Sequence, residues 1–276
     1  MLVLMDQTGG TMLAIGANDT VTTGEPYELI QYYNDGVFGG GPNNDQFSIA
    51  ITFDDYESPG DPATLMKTVI FGSGVAINDF PTNSSTVYGH ANSAGAEAVG
   101  AALYSQTPEY GTDPPLIEPY SSAGGTPIIF DTSGELLPAP QIRSKPEIVA
   151  PDGVNTTFFG GDDLEPDTWP NFRGTSAAAP HAAGVAALLL QAKAGATPAQ
   201  VNAALESTAI DMGAVPGFDY DTGYGLIQAD AALEAIINAI KGDTNKDGTV
   251  DLADVILGLH VITGIEYQNP YVRLVD

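Results

Sequence analysis

Cysteine is absent from all 276 residues, which excludes disulfides and thiolate metal sites. Basic residues are scarce: 8 Lys plus Arg stand against 35 Asp plus Glu, a formal net charge of −27. Such a surface repels nucleic acid and anionic membranes, so neither is an expected partner. It suits a saline or calcium-containing exterior, where salt screens the self-repulsion. No apolar run approaches the roughly 18 residues of a membrane span. Histidine occurs only at positions 90, 181 and 260, which restricts where a general base can come from. The opening Met1-Leu-Val-Leu-Met5 lacks the basic start and the length of a signal peptide, and it reads as a β-strand. The expectation is therefore an extracellular or cell-surface protein whose chain is truncated in mid-strand.

Apolar residues make up 43% of the chain, enough for a proper core. Residues 1–80 look all-β. Phe47-Ser-Ile-Ala-Ile-Thr-Phe53 alternates strictly, with Phe47, Ile49, Ile51 and Phe53 on one face. Tyr27–Tyr33 and Leu65–Phe71 are further strand candidates, punctuated by Gly-Gly and Pro-Gly turns. Residues 85–240 alternate strand and helix signals. Among these, Thr197-Pro-Ala-Gln200 is a capping box with proline at the first helical position, and its helix turns Val201, Ala204 and Leu205 inward.

The most informative run is Gly174-Thr-Ser-Ala-Ala-Ala-Pro-His-Ala-Ala-Gly184. It places Ser176 after a sharp turn and ahead of a small-residue helix. A serine hydroxyl is a weak nucleophile unless a base takes its proton and donors receive the oxyanion. A helix N-terminus offers unpaired N–H groups and partial positive charge at that spot. Pro180 is expected in the first turn, where its missing N–H costs little. An isolated Gly-Thr-Ser would be read as a plain helix N-cap; the whole run says more. It resembles the nucleophile motif of the subtilisin-like serine peptidases (subtilases), Gly-Thr-Ser-x-Ala-x-Pro-His-x-Ala-Gly, with every fixed position filled.

Four other blocks follow the same family's order. Ala96–Leu103 resembles its Val-Gly-Ala strand, and Tyr120-Ser-Ser-Ala-Gly124 its Phe-Ser-Ser-x-Gly. Lys145–Gly153 resembles Lys-Pro-Asp-Val-x-Ala-Pro-Gly, and Gly223–Ala232 the closing Gly-x-Gly-x-Val-Asn-Ala-x-x-Ala. The resemblance implies an α/β fold, a partial subtilisin-like three-layer arrangement with a parallel sheet, over residues 81–240. Before it, 1–80 would be a partial β-sandwich of the kind some members insert. The activity implied is peptide-bond hydrolysis of protein or peptide substrates, with Ser176 as nucleophile.

Residues 241–276 form a third region. Counting Asp243 as position 1, oxygen ligands fall at Asn245, Asp247, the Thr249 carbonyl, Asp251 and Asp254, with Gly248 at the sharp turn. That is the spacing of an EF-hand calcium loop. A helix follows, with Leu252, Val255, Ile256, Leu259 and Ile262 in one stripe. The alternative is an Asx-rich turn without metal. The opening Gly-Asp, and Asp254 in place of the usual Glu, resemble a dockerin repeat. Calcium as cofactor and a cohesin-type partner are what this resemblance implies. Dockerins carry two such loops, and 265–276 contains no second one.

The resemblance also says what to look for upstream of Ser176. In subtilisin the order is Asp, His, Ser. Neither the family's Asp-Thr/Ser-Gly block nor its His-Gly-Thr block occurs before Ser176; Asp221-Thr-Gly223 has the letters of the first but follows the nucleophile. His181 belongs to the nucleophile motif, His260 to the tail, and His90 reads as a loop residue ahead of the Val-Gly-Ala strand. Asn78 and Asn83 lack the Gly-Asn context of the family's oxyanion asparagine. A chain without those groups is expected to be inactive alone, since loss of the base costs subtilisin about a millionfold in kcat. The other reading is a non-catalytic binding or scaffold protein derived from a subtilase.

Overall fold

Antiparallel pairing organises the amino-terminal region. In the computed structural model, which describes residues 2–16, 27–37, 45–52, 66–70, 75–79, 84–158, 163–165, 167–238, 242, 244, 250 and 252–263, β1 (Leu2–Asp6) is the middle strand of an antiparallel sheet. Its neighbours are β2 (Met12–Gly16) and β3 (Phe47–Ile51). The β1–β2 turn is closed by Asp6, whose carboxylate accepts the Gly10 N–H at 2.9 Å and the Thr8 hydroxyl at 2.9 Å. These strands belong to a unit spanning Met1–Val75, and Ala76–Asp276 forms a second.

Several expectations for the first unit are met only in part among the described residues. Phe47–Ile51 is a strand, but Ile49 and Ile51 are each 51% exposed, so its apolar face is no core among the described residues. Tyr27–Tyr33 is irregular rather than a strand. Its adjacent apolar pairs, Leu29-Ile30 and Tyr32-Tyr33, leave neither period-two face continuous. Residues 66–70 are irregular as well, while Leu65 and Phe71 fall outside the described residues. Among the described residues this unit has one sheet and no second layer to make a sandwich.

The second unit is a mixed α/β structure built on a parallel pair, β4 (Val99–Leu103) beside β7 (Ile148–Asp152), in register Val99 with Ile148 through Leu103 with Asp152. Leu226 adds a parallel bridge to Val149 on the far side. Between them in sequence lies the hairpin β5 (Pro127–Phe130) with β6 (Leu136–Ile142). A two-residue pair, β8 (Val154–Asn155) with β9 (Asn171–Phe172), follows β7. The helices are α1 (Thr175–Ala192), α2 (Pro198–Ser207), α3 (Ala229–Asn238) and α4 (Leu252–Thr263).

Alternation along β7 divides the core. Ile148 and Ala150 face α1, α2 and α3 through Ala178, Ala182, Leu189, Leu205 and Ile236. Val149 points the other way, to Ala102 and Leu226, with Ile117, Ile210 and Met212 around them. The alanines set the spacing: without branched side chains, α1 can lie close on the sheet. The expected capping box is present at α2, where Thr197 Oγ1 accepts the Gln200 N–H and Gln200 Oε1 accepts the Thr197 N–H. Val201, Ala204 and Leu205 are buried.

Glycines sit where backbones meet. A Cβ on Gly124 would lie 1.5 Å from the Lys145 carbonyl oxygen. Gly225, at φ 108°, would place one 1.9 Å from the Ile210 carbonyl oxygen. Both belong to the blocks that resemble the subtilases.

Candidate active site

Ser176 is the second residue of α1, at the carboxyl end of β7. Gly174 caps the helix with φ 107°, a conformation that strains any L side chain, and no side chain serves as cap. The Gly174 carbonyl accepts the N–H of Ala177 at 2.8 Å and of Ala178 at 3.2 Å. Its N–H donates to Asp152 Oδ2 at 2.6 Å. The N–H and hydroxyl of Ser176 make no hydrogen bond with any described residue, and the side chain is exposed. An uncommitted N–H at a helix N-terminus can receive developing negative charge.

Pro180 is not in the first turn. Because α1 begins at Thr175, proline is its sixth residue. Its missing N–H removes the donor for the carbonyl of Ser176 itself, four residues back. Ser176 thus has no described partner for its N–H, and its carbonyl lacks the donor that position 180 would ordinarily supply. His181, the next residue, holds its ring Nδ1 2.7 Å from the Ala177 carbonyl. A carbonyl only accepts, so Nδ1 carries the proton.

No described residue is placed as a base against Ser176. His90 is exposed on a short 3₁₀ turn, Gly89–Asn92. His260 lies in α4. Asp221 belongs to a tight turn in which Asp219 Oδ1 accepts the N–H groups of Asp221 and Thr222. Asn78 is described and exposed, and Asn83 lies outside the described residues. A cleft of about 230 Å³ opens beside Thr175, walled by Val87, Tyr88, Ala98, Ser122 and Pro146. The larger cavity, about 620 Å³, is lined by Tyr104, Tyr110, Pro151, Val154, Leu226 and Gln228. Pro151 and Leu226 assign it to the sheet face away from α1, so size does not mark the chemistry here.

Asp152 is the residue that sequence reasoning missed. It is fully buried, and its Oδ2 also accepts the Tyr120 hydroxyl. Burial first, and then the hydrogen bond to Asp152, push the Tyr120 phenol well above its ordinary value, so it remains a donor. Beside it, Glu118 is raised by burial and by the charge of Asp152, with Arg173 opposing. A signal existed: the family pattern runs Ala-Pro-Gly, and this chain reads Ala150-Pro-Asp-Gly153.

A second buried charge group holds the amino-terminal end of the parallel pair. Lys145, 2% exposed, pairs with Glu147 and donates to the Ala96 carbonyl. Glu147 Oε2 accepts the Ala98 N–H at 2.7 Å. Nearby Glu97 is pushed up to about 7, by burial first and then by Glu147 and Glu206, with Lys145 opposing.

Of the expected calcium ligands, Asp243, Asn245, Asp247, Thr249 and Asp251 lie outside the described residues. Asp254 is buried, and its Oδ1 accepts the Thr244 N–H at 2.5 Å. Thr244 Oγ1 donates to the Asp254 carbonyl at 2.8 Å. Among the described residues no group of three or more His, Asp or Glu is placed to hold a metal ion. No described helix is long and apolar enough to cross a membrane.

The site is thus an exposed serine on a glycine-capped helix beside a parallel pair. Residues 58–225 match the model of the subtilase family (Peptidase S8), and the chain belongs to that family. Over 67 residues it is 51% identical to fervidolysin of Fervidobacterium pennivorans, covering 24% of this chain and 9% of that protein. A subtilisin-like protease of Arabidopsis thaliana is 27% identical over 163 residues, 51% of this chain and 19% of its own length. The crystal structure of fervidolysin shares 30% identity at a TM-score of 0.39, covering 52% of this chain and 20% of that one. The chain thus spans about a fifth or less of the length of these relatives.

Proposed function

We propose that this chain carries the nucleophilic half of a subtilisin-like serine endopeptidase. Ser176 Oγ attacks a peptide carbonyl, its own N–H holds the oxyanion, and an acyl-enzyme forms and is hydrolysed. The observation that carries this reading is the free N–H and exposed hydroxyl of Ser176 at the N-terminus of α1, inside a chain of the subtilase family. Neither the Asp block nor the His block precedes Ser176 in the sequence, so the base, the acid that orients it and the second oxyanion donor would be supplied by another segment, and this chain alone would be inactive. The exposure of Ala179, Pro180, Ala183, Gly184 and Leu188 along one side of α1 supports a seat for that segment. The substrates are proteins or peptides, and the acidic composition supports an extracellular setting.

The test is labelling with a fluorophosphonate, alone and after mixing with a subtilase segment that carries the Asp and His blocks. Labelling at Ser176 only after complementation, and lost in Ser176→Ala, is the expected result. No labelling in the folded, complemented pair would overturn the reading in favour of a non-catalytic binding or scaffold protein.

The tail reading is a calcium-binding dockerin-like repeat over 243–254, for which an all-oxygen donor set suits a hard cation. The bonds from Thr244 to Asp254 support it, since they close the loop's second position onto its twelfth. The exposed stripe of Leu252, Val255, Ile256 and Leu259 supports a cohesin-type partner. Calcium titration by calorimetry tests the loop: binding that disappears in Asp247→Ala is expected, and no heat at millimolar calcium would remove the claim.

A further inference from the structure

We propose that Asp152 is the positioning residue of Ser176, a carboxylate clamp that fixes the turn from which the nucleophile is presented. The inference rests on the reading of Ser176 as nucleophile and adds the element that aims it.

The geometry leaves the helix start dependent on one side chain. Ordinary N-termini are capped by the side chain of their own N-cap residue, reaching forward to an N–H of the first turn. Gly174 has no side chain, and neither Thr175 nor Ser176 takes over the role. The glycine is held by its backbone instead. Its C=O is fixed by the Ala177 and Ala178 N–H groups, and its N–H is fixed by Asp152 Oδ2. With both ends of the residue tied at φ 107°, the orientation of the next two residues follows, and the second of them is Ser176.

Asp152 is suited to this work by its own placement. It ends β7, the strand in register with β4, so its backbone is set by the parallel ladder. It is fully buried, and Tyr120 holds the same oxygen from the other side. A carboxylate near the amino end of an 18-residue helix also complements the helix dipole. Its second oxygen, Oδ1, is buried without a hydrogen bond. A fold would not ordinarily leave half a buried carboxylate unsatisfied when an amide or a hydroxyl could cap the glycine more cheaply. The strength of a charge-assisted bond to the Gly174 N–H is what the carboxylate adds. Tyr120 exposes 46% of its surface while its hydroxyl reaches inward to Asp152. The other charged groups facing it are Glu118 and Arg173.

The experiment compares the full chain with Asp152→Ala, Asp152→Asn and Tyr120→Phe, using Leu189→Ala as a control that weakens the same helix far from its start. Two readouts are followed: the amide exchange rate of Gly174, and the second-order rate of fluorophosphonate labelling in the complemented protein. Asp152→Ala is expected to raise Gly174 exchange at least tenfold and to slow labelling about 100-fold, the cost of roughly 1 Å of misplacement. Asp152→Asn keeps an acceptor but loses the charge, so it should fall between Asp152→Ala and the parent chain in both readouts. Leu189→Ala should lower the melting temperature and leave labelling unchanged. Labelling that tracks melting temperature across all four variants, or unchanged Gly174 exchange in Asp152→Ala, overturns the proposal. If Ser176 is never labelled but Gly174 exchange responds as stated, the clamp stands and the nucleophile reading falls.

Discussion

Helices α1 and α4 are both dominated by apolar residues, yet they end in opposite environments. α1 sinks Ala177, Ala178, Ala182 and Leu189 into the core, while α4 leaves Leu252, Val255, Ile256 and Leu259 exposed and buries Asp254 instead. Hydrophobic content does not separate them. What separates them is the partner surface. The small residues of α1 meet β4 and β7, whose own inward residues are Ala101, Ile148 and Ala150, and the two surfaces close on each other. The large side chains of α4 have no facing layer among the described residues. α1 is held by packing along its length and, independently, by Asp152 at its start.

The sharpest break of this comparison is Leu189→Ala. Leu189 is 1% exposed within the larger core cluster. Deleting its branched end leaves a cavity between α1 and the other helices, with an expected loss of about 2–5 kcal/mol in urea unfolding. A loss under about 1 kcal/mol would mean that α1 is held no better than α4.

Glu97→Gln gives the next effect, and its sign depends on pH. In the folded chain Glu97 titrates at about 7 rather than at 4.5. The folded state therefore holds a proton that the unfolded state has released between those values. This contribution is fully present below about 4.5 and is lost as pH rises through about 7. Glu97 is only half-buried, so solvent screening reduces the effect to about 1–2 kcal/mol between pH 5 and 8. The Gln variant should be the more stable protein at pH 8 and show a correspondingly flatter profile over that range. An identical profile in both proteins would show that the charge near the root of β4 is relieved by other means.

Much of the second unit was legible in the order of residues because small residues report backbone constraints. Gly124 and Gly225 stand where no Cβ fits, and Thr197 and Gln200 announce a cap that forms as written. The nucleophile run was legible for the same reason. What could not be read was any contact between residues far apart in sequence: Asp152 reaching Gly174, or Lys145 buried against Ala96. Pro180 misled because the start of α1 depends on the Gly174 turn, and moving that start by a turn changes what proline removes. In the first unit the strict alternation at Phe47–Ile51 named a strand and not the burial of its apolar face, since burial depends on a second layer.

The smallest effect belongs to α4. Ile256→Ala removes three carbons from a position already 43% exposed, and Leu252→Ala does the same at 70%. Surface substitutions away from caps and buried charges fall within about 0.5 kcal/mol, so neither variant should move the urea midpoint measurably. The residue of α4 that should respond is the polar one. Asp254 is buried with Thr244 bonded to its Oδ1, and Asp254→Ala leaves that N–H without its acceptor. If instead Ile256→Ala costs about 2 kcal/mol or more, the stripe is covered in the folded protein. α4 would then be a core helix like α1, and its large side chains would no longer be free to meet a partner.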